Sequence, residues 1–303
     1  MYYVMSALIF LWTESDFYPG GGRGTIVDLE IQRDTVTGLP IVRASSIKGA
    51  IRSYIELKYG SDEAKKFFGS AEKSGRIIFS DGNILFFPVN EINNFFVYLT
   101  GYPVLENLSL LLNYAERKNP NTKDLMNILE SIMRNRSSGT NRNYSSSDID
   151  NSLLIFDGTE KIGCQYNEDL KKFVAWIKKW GSPKISNSLV PGYGYLLEHL
   201  VNKTILIHND AHFRELVNRG LTRVVRIGID YERKVVREGH LFTQELIPRY
   251  TVLYFGCFVA FKYKNIIDDF LCDLFPNKES IVLNFGGDES IGRGVIRMVL
   301  FET

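Results

Sequence analysis

The sequence predicts one α+β unit: a sheet-and-helix core, a large helical insertion and a long β-hairpin. Three observations predict it. Strand, helix, strand and strand signals follow one another through the first hundred residues, the opening order of a ferredoxin-like, RRM-type core. Residues from about 104 to 134 then change to helical periodicity. Further on, two alternating strand-like runs flank Asp230–Lys234, the pattern of a hairpin.

Composition bounds the function. At 303 residues the chain can bury a sizeable core. A net charge of +1, from 36 basic and 35 acidic residues, supplies no global attraction for nucleic acid, so such binding needs local basic patches. Cys164, Cys257 and Cys272 lack C-x-x-C spacing, which argues against a disulfide framework or zinc site and for a reducing cytoplasm. The apolar start, Met1–Trp12, lacks the basic flank of a signal peptide and is too short to span a bilayer. No membrane partner is expected.

The first strand is expected over roughly residues 2–13, rich in β-branched and aromatic side chains. A glycine-rich loop, Tyr18-Pro-Gly-Gly-Gly-Arg-Gly24, follows and lets backbone approach a ligand closely. An extended segment is expected around 26–33. It carries Asp28, which on the residues alone reads as the salt-bridge partner of Arg23 or Arg33.

A helix is expected from Ser46 to about Lys58. Pro40 favours extended chain before it. Ser45 or Ser46 is the expected N-cap, and Ile47, Ile51 and Ile55 give a core face. Lys48 and Arg52, four apart, share another face. Free N–H groups, the helix dipole and Lys48 together suit an anion, best a phosphodiester backbone. A capped surface helix with solvated cations fits the same residues, and the sequence leaves both readings open.

A short helix around Ser61–Phe68 and strands near 75–81, 83–89 and 94–100 come next, with Asp81-Gly82 as a turn. Helices are expected over Val104–Glu116 and Thr122–Met133. The polar stretch Arg134–Ser147 has almost no apolar anchor and is expected to be a loop. Glu168–Trp180 reads as a helix, Lys203–His208 as a strand, and Asp210 as the cap of a helix to about Asn218. His208 and His212 are four apart, but the first falls at a strand end and no third ligand accompanies them, so two half-exposed histidines are expected rather than a metal site. The hairpin of about 221–248 carries Arg226, Arg233, Lys234, Arg237 and Glu245. It suits either a nucleic-acid backbone or a salt-bridged edge. The closing glycine cluster, Gly286-Gly-Asp-Glu-Ser-Ile-Gly-Arg-Gly294, does not meet G-x-x-x-x-G-K-[ST], which argues against a nucleotide P-loop and for a glycine loop between two strands.

These stretches carry a family resemblance. Gly38-Leu-Pro-Ile-Val-Arg-Ala-Ser-Ser-Ile-Lys-Gly-Ala-Ile-Arg52 resembles the G-x-P-x-I-P-G-S-S-L-K-G-x-L-R signature of the RAMP superfamily of CRISPR-associated proteins. Val27–Asp34 resembles the V-D-x-P-I-Q-R-E segment of one branch, the repeating backbone subunits of type III-B Cmr effector complexes. The stretches 80–89 and 95–105, the hairpin and the last glycine loop are similar to that branch too. The resemblance implies a single RAMP domain over 1–303. Its palm would span about 1–103 and 201–303, its insertion about 104–200 and its thumb the hairpin.

It further implies guide crRNA binding through Ser45, Ser46, Lys48, Arg52, Gly286, Gly287 and Arg293. Target RNA would meet the thumb at Arg226, Arg233, Lys234, Arg237 and Glu245. Copies of the chain would stack head to tail into a filament beside other Cmr subunits. Asp28 would be the residue for cutting target RNA, and the ligand of a weakly held divalent metal (Mg or Mn), in a reaction that leaves a cyclic phosphate. The sequence departs from the pattern at Arg43-Ala44, where relatives have Pro-Gly, at Tyr18, where many have histidine, and at Gln244 and Leu246, which replace an acid and a phenol. Three other readings remain: a non-catalytic scaffold of the superfamily, a metal-free endoribonuclease that processes guides, and a small-ligand enzyme using the glycine loops for phosphate.

Overall fold

The computed structural model describes residues 3–24, 27–115, 119–137, 142–148, 152–185, 188–229, 236–276 and 280–303. It is a mixed α/β fold with a large, mostly antiparallel sheet at its centre. The first strand, Tyr3–Thr13, is buried along almost its whole length, with Ala7 to Leu11 fully inaccessible. A continuous apolar run fits this place, because both faces of the strand are covered. It pairs antiparallel with Val252–Ala260 on one side and Val295–Glu302 on the other. From there the sheet passes through Gly82–Glu91 and Phe95–Gly101 to Thr204–Ile207, which lies parallel to its neighbour.

The helix bearing the signature spans Ala44–Tyr59 and packs through Ile47, Ile51 and Ile55, all fully buried, as its periodicity predicts. Each of those side chains contributes on the order of 1.5–3 kcal/mol by leaving water. The expected helix Ser61–Phe68 is present. Between the halves of the sheet, the helices Tyr102–Leu112, Pro120–Ser137, Glu168–Trp180 and Tyr193–Asn202 are interspersed with short strands.

A second, four-stranded sheet positions the site. Its order is Thr222–Ile229, Val236–Leu246, Leu29–Ile31 and Gly20–Arg23. The hairpin strands pair in antiparallel register from Thr222↔Leu246 to Ile229↔Val236. The glycine loop and the segment after it are thereby bonded to the root of the hairpin.

Three local expectations need correction. The stretch 134–147 is not all loop. Its start completes the helix ending at Ser137, and Asn143–Ser145 forms a strand parallel to Cys164–Tyr166, with Ser145 and Ser146 buried. Polarity hid this strand, because its hydrogen bonds come from sheet partners rather than from an apolar pattern. Among the described residues of the segment expected over 26–33, the strand covers only Leu29–Ile31. The helix after Thr204–Ile207 is capped by Asn209, whose side chain accepts from the His212 N–H at 2.9 Å; Asp210 instead pairs with Arg136 at 2.7 Å.

Candidate nucleic-acid interface

The signature helix begins differently from the expected serine cap. Arg43 is the N-cap residue, and neither Ser45 nor Ser46 caps through its side chain. Asp81, from the neighbouring turn, does so instead. One of its carboxylate oxygens accepts from the Ala44 N–H at 2.7 Å, and the other meets the Arg43 guanidinium at 3.0 Å. An internal carboxylate therefore already meets part of the helix's demand for an anion. Arg43 is what holds that carboxylate. Ser45 is exposed and Ser46 and Lys48 half-exposed at the same end. Arg52 lies one turn on, 3.7 Å from Glu56, a solvated pair of small energetic weight.

Gln32 ties this end to the first glycine loop, a role that sequence reading missed. Its side-chain oxygen accepts from the Arg43 N–H at 3.1 Å, its amide nitrogen donates to the Gly20 carbonyl at 2.8 Å, and its backbone N–H donates to the Pro19 carbonyl at 3.0 Å. The Tyr18 carbonyl in turn accepts from the Gly287 N–H at 3.2 Å. The two glycine turns and the helix start are thus joined by one path of hydrogen bonds. Gly286 is fixed as glycine by this contact: its φ is +76°, and a Cβ there would lie 2.2 Å from the Tyr18 carbonyl oxygen. Gly286 and Gly287 are both exposed. Arg293 is turned inward to Asp16 at 2.7 Å, which holds the loop closed.

Asp28 stands at the edge of this surface, on the hairpin side. It is exposed, and neither arginine is its partner. One carboxylate oxygen accepts from the Thr243 N–H at 2.7 Å and from the Thr243 hydroxyl at 2.9 Å. These bonds hold the carboxyl below the usual carboxylate range, with a smaller contribution from the charge of Arg23. Arg33 instead donates to Glu245 at 2.9 Å. The salt-bridge expectation failed because hydrogen bonds across the small sheet, invisible in sequence spacing, took both groups.

Glu245 also differs from expectation. Its side chain is buried between Arg33 and Arg223, the latter at 3.1 Å, so it braces the hairpin root. Arg226 bonds Asp288 at 2.6 Å, and Gln244 donates to the other Asp288 oxygen at 2.7 Å. Burial raises the Asp288 carboxyl, but these two hydrogen bonds together with the charges of Arg226 and Arg293 outweigh it and the group is lowered. Gln244 thus fastens hairpin to glycine loop, and Leu246 is core. Arg233, Lys234 and the Arg237 side chain lie outside the described residues. Tyr18 sits between the two glycine turns, its phenol pushed up by burial and by Asp288. It is therefore no proton carrier near neutral pH.

The donor set does not fit a resident divalent ion. Among the described residues no group of three or more His, Cys, Asp or Glu is placed to hold one, and Asp28 offers a single carboxylate with one oxygen already engaged. His208 and His212 are half-exposed, as expected, and His212 faces Glu160 at 3.3 Å. No helix among the described residues is long and apolar enough to cross a membrane.

The sequence profile of the RAMP superfamily matches residues 11–297. The chain belongs to the RAMP superfamily. It is similar to the CRISPR system Cmr endoribonuclease Cmr4 of Pyrococcus furiosus, with 28% identity over 97% of this chain and 95% of that one. Among solved RAMP-fold structures, it superposes on a chain of the type III-B Cmr-beta complex bound to cognate target RNA with a TM-score of 0.76. That match has 22% identity over 99% of this chain and 98% of the other. It superposes on oligomeric Cmr4 from Pyrococcus furiosus with a TM-score of 0.68, at 23% identity over 98% and 99% of the two chains. Whole-length coverage in both directions makes this a likeness of the full fold.

Proposed function

We propose that this chain is the repeating backbone subunit of a type III-B CRISPR ribonucleoprotein. It binds guide RNA, polymerises head to tail along it beside other Cmr subunits, and cleaves complementary target RNA at regular intervals. One observation carries this reading: a path of hydrogen bonds runs from Gly287 through the Tyr18–Pro19 backbone and Gln32 to the start of the signature helix, with an exposed Asp28 just before the adjoining strand Leu29–Ile31. In this reading the core is a ferredoxin-like palm and the 222–246 hairpin its thumb. Ser45, Ser46, Lys48, Gly286 and Gly287 meet the guide backbone. Arg52 joins them after exchanging Glu56 for phosphate, whereas Arg293 shapes the loop from within.

The chemistry assigned to the protein is small. The target's own 2′-hydroxyl attacks the adjacent phosphorus and gives its proton to solvent; the bond from phosphorus to the 5′-oxygen of the next nucleotide breaks, and that oxygen takes a proton from solvent, leaving a 2′,3′-cyclic phosphate and a 5′-hydroxyl. The protein splays the strand so that attack is in line. Asp28, held ionised by Thr243, accepts hydrogen bonds from the 2′-hydroxyl and the solvent there and so orients them. A carboxylate lowered further from its ordinary value is a weak proton acceptor near neutral pH, so we assign it positioning rather than general-base work. The expected magnesium or manganese belongs with the RNA, whose phosphates and water would be its main ligands, and no step above runs through it.

The scaffold-only reading keeps one favourable observation: with Tyr18 raised and Glu245 buried, no ready proton carrier stands next to Asp28 among the described residues. The test of RNA binding itself is co-purification. A discrete RNA whose length grows in even steps with the number of bound copies is expected. Protein free of RNA, or a small nucleotide in its place, would refute the proposal.

A further inference from the structure

A second cleft lies beside the interface. It has a volume of about 640 Å³ and opens between the strand start at Phe95–Phe96, the turn at Phe156, the helix residue Tyr195 and the segment Pro248–Tyr250 that leaves the hairpin. Five non-glycine residues among those described have positive φ, and three of them are aromatic: Phe95 at 60°, Phe156 at 51° and Tyr250 at 72°. All three line this cleft. Bulky side chains avoid that conformation, and when held in it they concentrate at binding sites.

Phe96 is core and Phe156 and Tyr250 pack against it, but the core does not explain the other two rings. Phe95 is 82% exposed and Tyr195 49%. The cleft wall is already a ring stack: His199 lies on Phe96 at 4.5 Å and 17°, and Phe96 on Tyr250 at 5.7 Å and 28°. Two guanidinium groups lie over its rings, Arg249 over Tyr250 at 5.0 Å and Arg219, itself paired with Glu160 at 2.8 Å, over Phe156 at 4.4 Å. A flat aromatic ligand bearing negative charge matches rings capped by guanidinium. The cleft is also continuous with the glycine turns. Asp16 lines it, accepts from the Arg249 N–H at 3.0 Å, and holds Arg293 of the last glycine loop with its other oxygen.

We propose that this cleft takes one unpaired nucleobase of the bound RNA, stacked on Phe95 and Tyr195, with its phosphate toward Arg249. This rests on the RNA-binding reading above and adds a base subsite to it.

The test is binding of a labelled single-stranded RNA to the full chain over a salt series, for wild type, Phe95→Asn, Tyr195→Ser and Lys48→Ala. Asparagine tolerates left-handed backbone and Phe95 is exposed, so Phe95→Asn should melt with wild type. Each aromatic variant is expected to bind about tenfold more weakly with an unchanged salt slope, since stacking releases no counterions. Lys48→Ala is expected to weaken binding and lower the slope by about one. Aromatic variants at wild-type affinity beside a weakened Lys48→Ala would overturn the cleft and leave the interface standing. If Lys48→Ala also binds like wild type, the interface reading falls and takes the cleft with it. Loss of self-association at unchanged RNA affinity would assign the cleft to a neighbouring protein copy instead. Adenosine monophosphate should compete only weakly; displacement of RNA at micromolar concentration would make this a free-nucleotide site and overturn the strand assignment.

Discussion

Gly49 offers the sharpest check on the interface. It is exposed in the interior of the helix Ala44–Tyr59, and a Cβ built on it meets no atom within 4 Å. Glycine in a helix interior costs about 0.8–1 kcal/mol relative to alanine. Nothing in the folded chain requires that cost, and a close approach from outside accounts for it. Gly49→Ala should therefore stabilise the isolated protein by about 1 kcal/mol, since there is room for the methyl group and the unfolded chain loses freedom. For a chain of this length that is a rise of roughly 2 °C in melting temperature. The same methyl group should stand between helix and RNA backbone. A misfit of that size costs on the order of 1–2 kcal/mol, or about tenfold in affinity. The assays are thermal melting of the free protein and RNA binding at fixed salt. A variant that is more stable and binds RNA as well as wild type would refute the reasoning, because the glycine would then answer to nothing. A variant less stable than wild type would show that the open space beside the helix is wrong.

Other predictions follow from the same contacts. Gly286→Ala places a methyl group at a positive φ and against the Tyr18 carbonyl, and should cost roughly 1–3 kcal/mol in denaturant unfolding; an unchanged midpoint would contradict the tie between the two glycine turns. Glu245→Ala leaves Arg33 and Arg223 without their shared carboxylate. Because both arginines partly face water, about 2 kcal/mol is expected rather than the 3–5 of a fully buried pair, and retained affinity for target RNA would match its bracing role. The Asp28 carboxyl is lowered by Thr243, so its contact with the hairpin is fully present above the ordinary carboxylate pKa and is lost only as pH falls through the lower folded value. Cleavage measured between pH 5 and 8 should therefore show no inflection from Asp28; a half-maximal rate near pH 6 that disappears in Asp28→Asn would contradict this. Thr243→Val removes the hydroxyl and keeps the N–H, and should move the Asp28 carboxyl up, visible by NMR titration.

Much of this architecture was legible in the residues. The unbroken apolar run of the first strand, the Ile47, Ile51 and Ile55 face and the paired runs of the hairpin each carry a local pattern that tertiary packing then used. Glycines at both ends of the chain signalled backbone approach, and they meet at Gly287 and Tyr18. What escaped was settled by partners distant in sequence. Asp81 capping the signature helix, Gln32 bridging loop to helix, Thr243 claiming Asp28 and Glu245 turning in toward two arginines leave no periodicity to detect. The strand Asn143–Ser145 was missed for the same reason, since a polar segment paired on both sides looks like a loop in sequence. The aromatic cleft gave no signal either, because its rings come from four separate stretches.

The most direct measurement is target cleavage by the reconstituted complex carrying guide RNA and an end-labelled complementary target, with Asp28→Ala beside wild type. The expected result is target bound within about twofold of wild-type affinity while the evenly spaced fragments disappear. An unchanged ladder of fragments from the variant would contradict the account and leave this chain as scaffold alone.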